Sequence, residues 1–395
     1  MVQRRWPKSL AILCCLALPN LSWGGTTLTL WNIHDAHEYI ERISKEYFEQ
    51  QDIEIEVSTY LLEPMKTELL ARKGRSSMPD MLIVPADFLG MHVELDFIPL
   101  DDSWSLNLIN DSARQSANLN NTYYGLPLLQ GNHLMLYYNK QWVKTPAKNW
   151  QAMFDQQSKL AKQGVETIVW EYDQMFWFMP FYGAFGGNPV IDGDVNLDNP
   201  AMVSALDAYK NLYDKGLVRR DCDNYCAESS FKAGKQAYVI TGDWALSDFS
   251  EALGENLGIA ELPAIGELKL VPMSSSYVLV VPGQVDGARL AEIKKYAQHL
   301  VSYETQIETY NETKLLPTNA QAFDQVSKNS SGLDREILNQ FAQGQGMPID
   351  PAMGIAWEVM THSFRRFMDQ GFSAWRTAKY MQQLADKVSK QRAEE

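Results

Sequence analysis

Positive charge is scarce in this chain. Its 395 residues include 35 lysines and arginines against 49 aspartates and glutamates, a formal net charge of −14. Nucleic acid and anionic lipid surfaces both demand basic patches, so this balance argues against either as a partner. Cysteine is nearly missing as well: of four in the chain, Cys14 and Cys15 fall in the opening apolar stretch, which leaves Cys222 and Cys226 in DCDNYC. The six histidines are scattered. No H-E-x-x-H zinc motif, G-x-S-x-G nucleophile elbow or G-x-x-x-x-G-K-[ST] phosphate loop occurs, so three common routes to hydrolysis have no sequence support. No later segment approaches the roughly 20 apolar residues that a membrane helix requires, and no Pro- or Gly-rich linker interrupts the chain.

What is present begins with MVQRRWPK, which is basic, followed by the apolar SLAILCCLALP and small residues near Gly24. This is the pattern of a cleavable signal peptide over residues 1–24. Neither Cys14 nor Cys15 follows the small residue that lipid attachment would want. Removing Arg4, Arg5 and Lys8 with this segment would take the net charge from −14 to −17. In an oxidising compartment Cys222 and Cys226 read as a local disulfide, with a zinc pair as the alternative. The roughly 370 residues that remain exceed what one core serves, so two domains are expected. Without a linker, the chain should pass between them more than once.

TTLTLW (26–31) reads as a strand, after which Ala36, Ile40, Ile43 and Tyr47 recur at helical spacing. Asp35 and Glu38 have the spacing of a capping box at the start of that helix. IEIEV (53–57), a helix through MKTELLARKG closed by Gly74, and PDMLIV (79–84) complete an α/β unit with a largely parallel sheet. In YYGLPLLQGNHLMLYYNK (123–140) a Gly-Pro turn precedes a long apolar strand that ends at residues 138–140. FKAGKQAYVITGDWAL (231–246) is a strand that breaks at Gly242 and exposes Trp244. A closing helix begins near Ser373, with Ala378, Met381, Ala385 and Val388 on one face.

WNIHDAHEY (31–39) places His34 and Asp35 where a strand gives way to a helix, the edge at which α/β sheets bind ligands. A bare N-cap and a metal site from His34, His37 and Glu38 are the competing readings of this stretch. Aromatic residues make up 11% of the chain, and several stand at breaks between elements. Aromatic faces pack on the C–H faces of pyranose rings while carboxylates and amides bond the hydroxyls, so a sugar site needs both. Phe176, Trp177, Trp244 and Trp357 are the candidate stacking faces, with core packing as the alternative for each.

The order and spacing of WNIHD, PDMLIVPAD, YGLPLLQGNHLMLYYNK, FWFMPFYGAFGG, FKAGKQAYVITGDWAL and GMPIDPAMGIAW resemble the extracellular solute-binding proteins of bacterial sugar importers, in particular the maltose-binding-protein-like group. The resemblance implies a two-lobed α/β periplasmic-binding-protein fold of type II with hinge crossings and a sugar in the cleft. One lobe would comprise residues 25–130 with 276–324, the other 131–275 with 325–395. It implies that Asp35 and Asp87 contact sugar, that Asn132 or Gln130 takes the place of a contacting glutamate, and that Phe176, Trp177, Trp244 and Trp357 stack. Ala36, Phe88 and Val84 stand where the group has a lysine, an arginine and a tryptophan. Two missing cations disfavour uronates and phosphorylated sugars.

The function that follows from the resemblance is a monomeric periplasmic sugar-binding component of an ABC importer, without cofactor or covalent chemistry. Ligand favours the closed cleft, and the closed protein docks on an inner-membrane permease driven by a separate ATPase subunit. Two rivals remain. A secreted carbohydrate-active enzyme could draw a carboxylate pair from Asp35, Asp87 and Glu171. A binding protein for a polyol, an amine or a metal would use the same acidic groups.

Overall fold

The structure is a computed structural model and describes residues 26–34, 36–75, 77–283 and 285–394. The expected signal segment 1–24 and Asp35, with its capping box, lie outside the described residues.

Two sheets organise the chain. The first has seven strands, in the order Leu316–Pro317, Leu126–Gly131, Met273–Val280, Met81–Pro85, Thr26–Asn32 and Ile53–Thr59, with Gln345–Gly346 paired to the start of Met273–Val280. Thr26–Asn32 runs parallel to both its neighbours. Met273–Val280 is antiparallel to Met81–Pro85 and Leu126–Gly131, and Leu316–Pro317 is antiparallel to Leu126–Gly131. The expected largely parallel sheet is therefore mixed. The strand–helix–strand pattern governs only the first strands, while later segments enter the sheet from the opposite direction. The second sheet has four strands, ordered Leu257–Ala260, Leu134–Asn139, Gln236–Gly242 and Glu166–Val169.

The long apolar strand expected to end at residues 138–140 is two strands in different sheets, and Pro127 lies inside the first of them, not in a turn. Gly131 and Asn132 break the run, with φ of 122° and 41°. Such backbone angles end an extended strand. The chain crosses there from the first sheet to the second. It returns between Ala260 and Met273.

Each sheet buries both faces, as the period-2 alternation of its side chains dictates. Leu28, Leu30, Met81 and Ile83 face one core and Trp31, Leu82 and Val84 another. Leu134 and Leu136 pack with the helices Pro351–Asp369 and Ala374–Glu394. Met135 and Tyr137 pack on the opposite side with Phe231, Phe249 and Ile337. The closing helix buries Ala378, Met381 and Ala385 as its sequence spacing predicts. The first helix starts at His37 with Ala36 as its cap residue, one position later than the sequence suggests. Ala36 offers no side-chain cap, and its amide, just before the first turn, donates to His34 Nδ1 at 2.9 Å. Cys222 and Cys226 form a disulfide at the entry to the helix Asn224–Lys232.

Candidate functional site

Asp87 lies in the first turn of the 3-10 segment Ala86–Met91, directly after the strand Met81–Pro85. That placement sets its carboxylate at a strand's carboxyl end. Trp357 lies within the helix Pro351–Asp369, whose start Pro351 fixes at the first helical position. The indole Nε1 of Trp357 donates to Asp87 Oδ2 at 3.2 Å. Trp357 packs on the core of the second sheet, whereas Ala86, Phe88 and Leu89 around Asp87 belong to the core of the first. This bond joins the two halves.

Three more rings gather at Trp357. Phe176 and Trp177 occupy the first turn of the helix Met175–Ala184, where Gln174 caps the helix by accepting the Phe176 amide. Phe176 lies 6.5 Å from Trp357 and 6.3 Å from Trp244 between ring centroids, and Trp177 stands edge-on to both Phe176 and Trp244. Trp244 is half-buried in the turn Asp243–Ala245 after the strand Gln236–Gly242. Phe176 and Trp357 are also half-buried, while Trp177 is buried and donates its Nε1 to the Ile240 carbonyl at 2.8 Å. Three rings are therefore only partly buried, beside a fourth that is anchored to the sheet.

Asp87 is subject to opposing influences. Burial pushes its carboxyl above the ordinary range, while the Trp357 bond and the positive field of Lys66 pull it down, and burial prevails. Lys66 and Glu228 are functional candidates that motif reading missed. Glu228 accepts from Trp244 Nε1 at 3.2 Å and from Thr241 Oγ1 at 2.7 Å, which fixes the edge of the ring. Glu228 lies four residues after Asn224 on one helix face, and Asn224 donates to it, so a helical reading of this segment could have found it. No sequence signal ties Lys66 to Asp87.

The other expected site residues have different partners. Gln130 is buried and donates Nε2 to the Pro317 carbonyl at 2.7 Å. Asn132 is buried, and its backbone amide donates to Asp243 Oδ2 at 3.1 Å. Val84 and Phe88, at the positions of the missing tryptophan and arginine, are both core residues. His34 is buried, accepts from Ala36 through Nδ1 and meets Tyr277 edge-on at 4.3 Å. Burial lowers its pKa to about 4 against the upward pull of the Asp243 charge, so the ring is neutral at pH 7. Among the described residues no group of three or more His, Cys, Asp and Glu side chains could hold a metal ion. No described helix is long and apolar enough to cross a membrane.

Comparison with known proteins agrees with this architecture. The chain is 23% identical over 357 residues to the maltodextrin-binding protein MdxE of Bacillus subtilis, covering 86% of this chain and 84% of that one. It is also 23% identical over 359 residues to the galactooligosaccharide-binding protein of the same organism, covering 84% and 82%. The fold matches the maltose/maltodextrin-binding domain MalE of Bdellovibrio bacteriovorus, solved with maltotriose, at a TM-score of 0.85 and 22% identity over 92% of this chain and all of that one. The GacH receptor of Streptomyces glaucescens, solved unliganded and with acarbose, matches at 0.83 and 18% identity over 93% and 98%. The fold is thus the two-lobed type expected from the motif order. Residues 42–332 match the model of one family, and the chain belongs to it: the bacterial extracellular solute-binding proteins.

Proposed function

We propose that this protein is the substrate-binding component of an ABC importer for a neutral oligosaccharide, with maltose and malto-oligosaccharides the leading candidates. The observation that carries this reading is the gathering of Phe176, Trp177, Trp244 and Trp357 beside the carboxylate of Asp87. Partly exposed rings suit the C–H faces of pyranoses, and a carboxylate suits their hydroxyls. The named ligands of the relatives and fold neighbours, maltodextrin, galactooligosaccharide, maltotriose and acarbose, support the same chemistry. Asp35 is a further sugar contact in this reading, and Gln130 and Asn132 serve the site through the crossing between the sheets.

The cycle involves no covalent step. Sugar enters an open cleft and bridges Asp87 on one side and the rings on the other, which favours the closed state. The lobes are close to the expected 25–130 with 276–324 and 131–275 with 325–395, with the whole strand Met273–Val280 and its partner Gln345–Gly346 kept in the first. The mature monomer works in the periplasm after loss of residues 1–24, and delivers its ligand to an inner-membrane permease with a separate ATPase subunit.

Isothermal titration of the mature chain with maltotriose, a galactooligosaccharide, glucose, a polyol and divalent metal ions tests the reading, with a parallel assay for new reducing ends. Saturable binding of an oligosaccharide without cleavage supports it. Cleavage would make the protein an enzyme, and binding of a divalent metal alone would restore the cation reading.

A further inference from the structure

The crossing that links the two sheets is gripped by a carboxylate that belongs to neither crossing strand. Asp243, just past the strand Gln236–Gly242, is 3% exposed. Its Oδ2 accepts the Asn132 amide at 3.1 Å and lies 3.4 Å from Nδ1 of His133, which is fully buried. A Cβ on residue 131 would fall 2.0 Å from the same oxygen. Gly131, at φ 122°, therefore leaves the space that the carboxylate fills. The grip contacts three successive residues of the crossing.

A second close fit lies next to the first. A Cβ on Gly242 would fall 1.9 Å from the ring of Trp244, so the indole lies back over the backbone of residue 242. The Gly242 carbonyl accepts from Tyr137 Oη at 2.9 Å, which pins the turn to the strand Leu134–Asn139 just beyond the crossing. Residues 242–244 thus hold a ring on one side and the crossing on the other.

We propose that Asp243 is a positioning residue that couples the interlobe crossing to Trp244, so that the opening of the cleft and the placement of this ring change together. Sugar stacked on Trp244 then stabilises one geometry of the crossing, and a change at the crossing moves the ring. The coupling rests on the sugar-binding reading for its consequence, but the grip on the crossing does not.

The test compares the full mature chain with Asp243→Ala, Asp243→Asn and Gly131→Ala, by maltotriose titration, by small-angle X-ray scattering without ligand, and by melting temperature. Alanine at 243 releases the crossing, and a methyl at 131 expels the carboxylate from the other side. Both should shift the ligand-free radius of gyration and weaken maltotriose binding by about tenfold or more. Asparagine keeps an acceptor for the Asn132 amide and should retain most of the affinity. If Asp243→Ala does not fold, Gly131→Ala and Asp243→Asn carry the comparison. Wild-type scattering and affinity in the alanine variants, or a lowered melting temperature alone, would reduce Asp243 to a structural role and overturn the proposal. The ligand-free scattering reports on the crossing even where the wild-type protein ignores maltotriose, so failure of the sugar reading is seen separately.

Discussion

Trp357 donates its indole N–H to Asp87 across 3.2 Å, and Trp357 packs on the core of one sheet while the neighbours of Asp87 belong to the core of the other. A carboxylate accepts at both oxygens, so Asp87 can bond a ligand hydroxyl beside this contact, and sugar binding and interlobe contact meet at one group. Replacing Asp87 with Ala should weaken maltotriose binding by about 1.5–3 kcal/mol, the range for a hydrogen bond to a charged group. Asp87→Asn should lose less. Calorimetric titration decides the matter, and an unchanged dissociation constant in Asp87→Ala would remove this residue from the site.

The same residue predicts a pH dependence. Burial raises the Asp87 carboxyl above the ordinary carboxylate range, so the accepting form is lost at a higher pH than for an exposed aspartate. Affinity should therefore fall as the pH drops towards that range, and Asp87→Asn should flatten the decline. Titrations repeated from pH 7 downwards measure it.

Each partly exposed ring should contribute separately. Trp244→Ala and Trp357→Ala are expected to weaken maltotriose binding by about 1–3 kcal/mol, from the transfer free energy of a large apolar side chain. Trp177→Ala should cost fold stability first, because its ring is buried and bonded to Ile240. Melting curves run beside the titrations separate the two effects, and full affinity in folded Trp244→Ala and Trp357→Ala variants would return those rings to packing alone.

His34 makes the fold acid-sensitive. The unfolded imidazole takes its proton near pH 6.5 and the folded one only near pH 4. Stability present at neutral pH is lost as the pH falls between these values, by about 3 kcal/mol at most. Denaturant midpoints measured from pH 7 to 4 should show the loss. His34→Asn, which keeps an acceptor for the Ala36 amide, should reduce it.

The Cys222–Cys226 bridge closes a short loop. Chain entropy assigns such a loop about 2 kcal/mol. Reduction should lower the melting temperature modestly while leaving maltotriose affinity near its original value, since the cap of the following helix comes from Asp223. A large loss of binding on reduction would show that the bridge shapes the site.

Much of the candidate site is legible in the sequence itself. Phe176, Trp177 and Trp244 stand out as large rings at breaks between elements, whereas Trp357 lies well inside its helix, and the fold brings the four into one chain of ring contacts. Asp87 is legible only through the resemblance carried by PDMLIVPAD, since an apolar strand before it does not by itself mark the carboxylate. The mixed first sheet is not legible, since nothing local in Met273–Val280 says which strands, far back in the chain, will flank it. The break at residues 131–133 does have a local signal: Gln130, Gly131, Asn132 and His133 interrupt the apolar run, and Gly-Asn is a turn pair. Gln130 and Asn132 come as ligand contacts from the resemblance alone, and the bonds of the Gln130 side chain to the Pro317 carbonyl and of the Asn132 amide to Asp243 join residues that only the folded chain brings near. Lys66 shows the same limit, as it reaches Asp87 only through space.

Met273–Val280 has one further consequence, for the order in which the protein can fold. Met81–Pro85 and Leu126–Gly131 both pair with it, and no pairing joins the two directly. Until that segment has been synthesised, the earlier strands face one another across a gap with their edges unmet. Contacts so distant along the chain are slow to form, because long loops must close before they are rewarded. A chain truncated before Met273 should therefore stay unfolded, and in a nascent chain the two earlier strands should remain without their shared partner until late in synthesis.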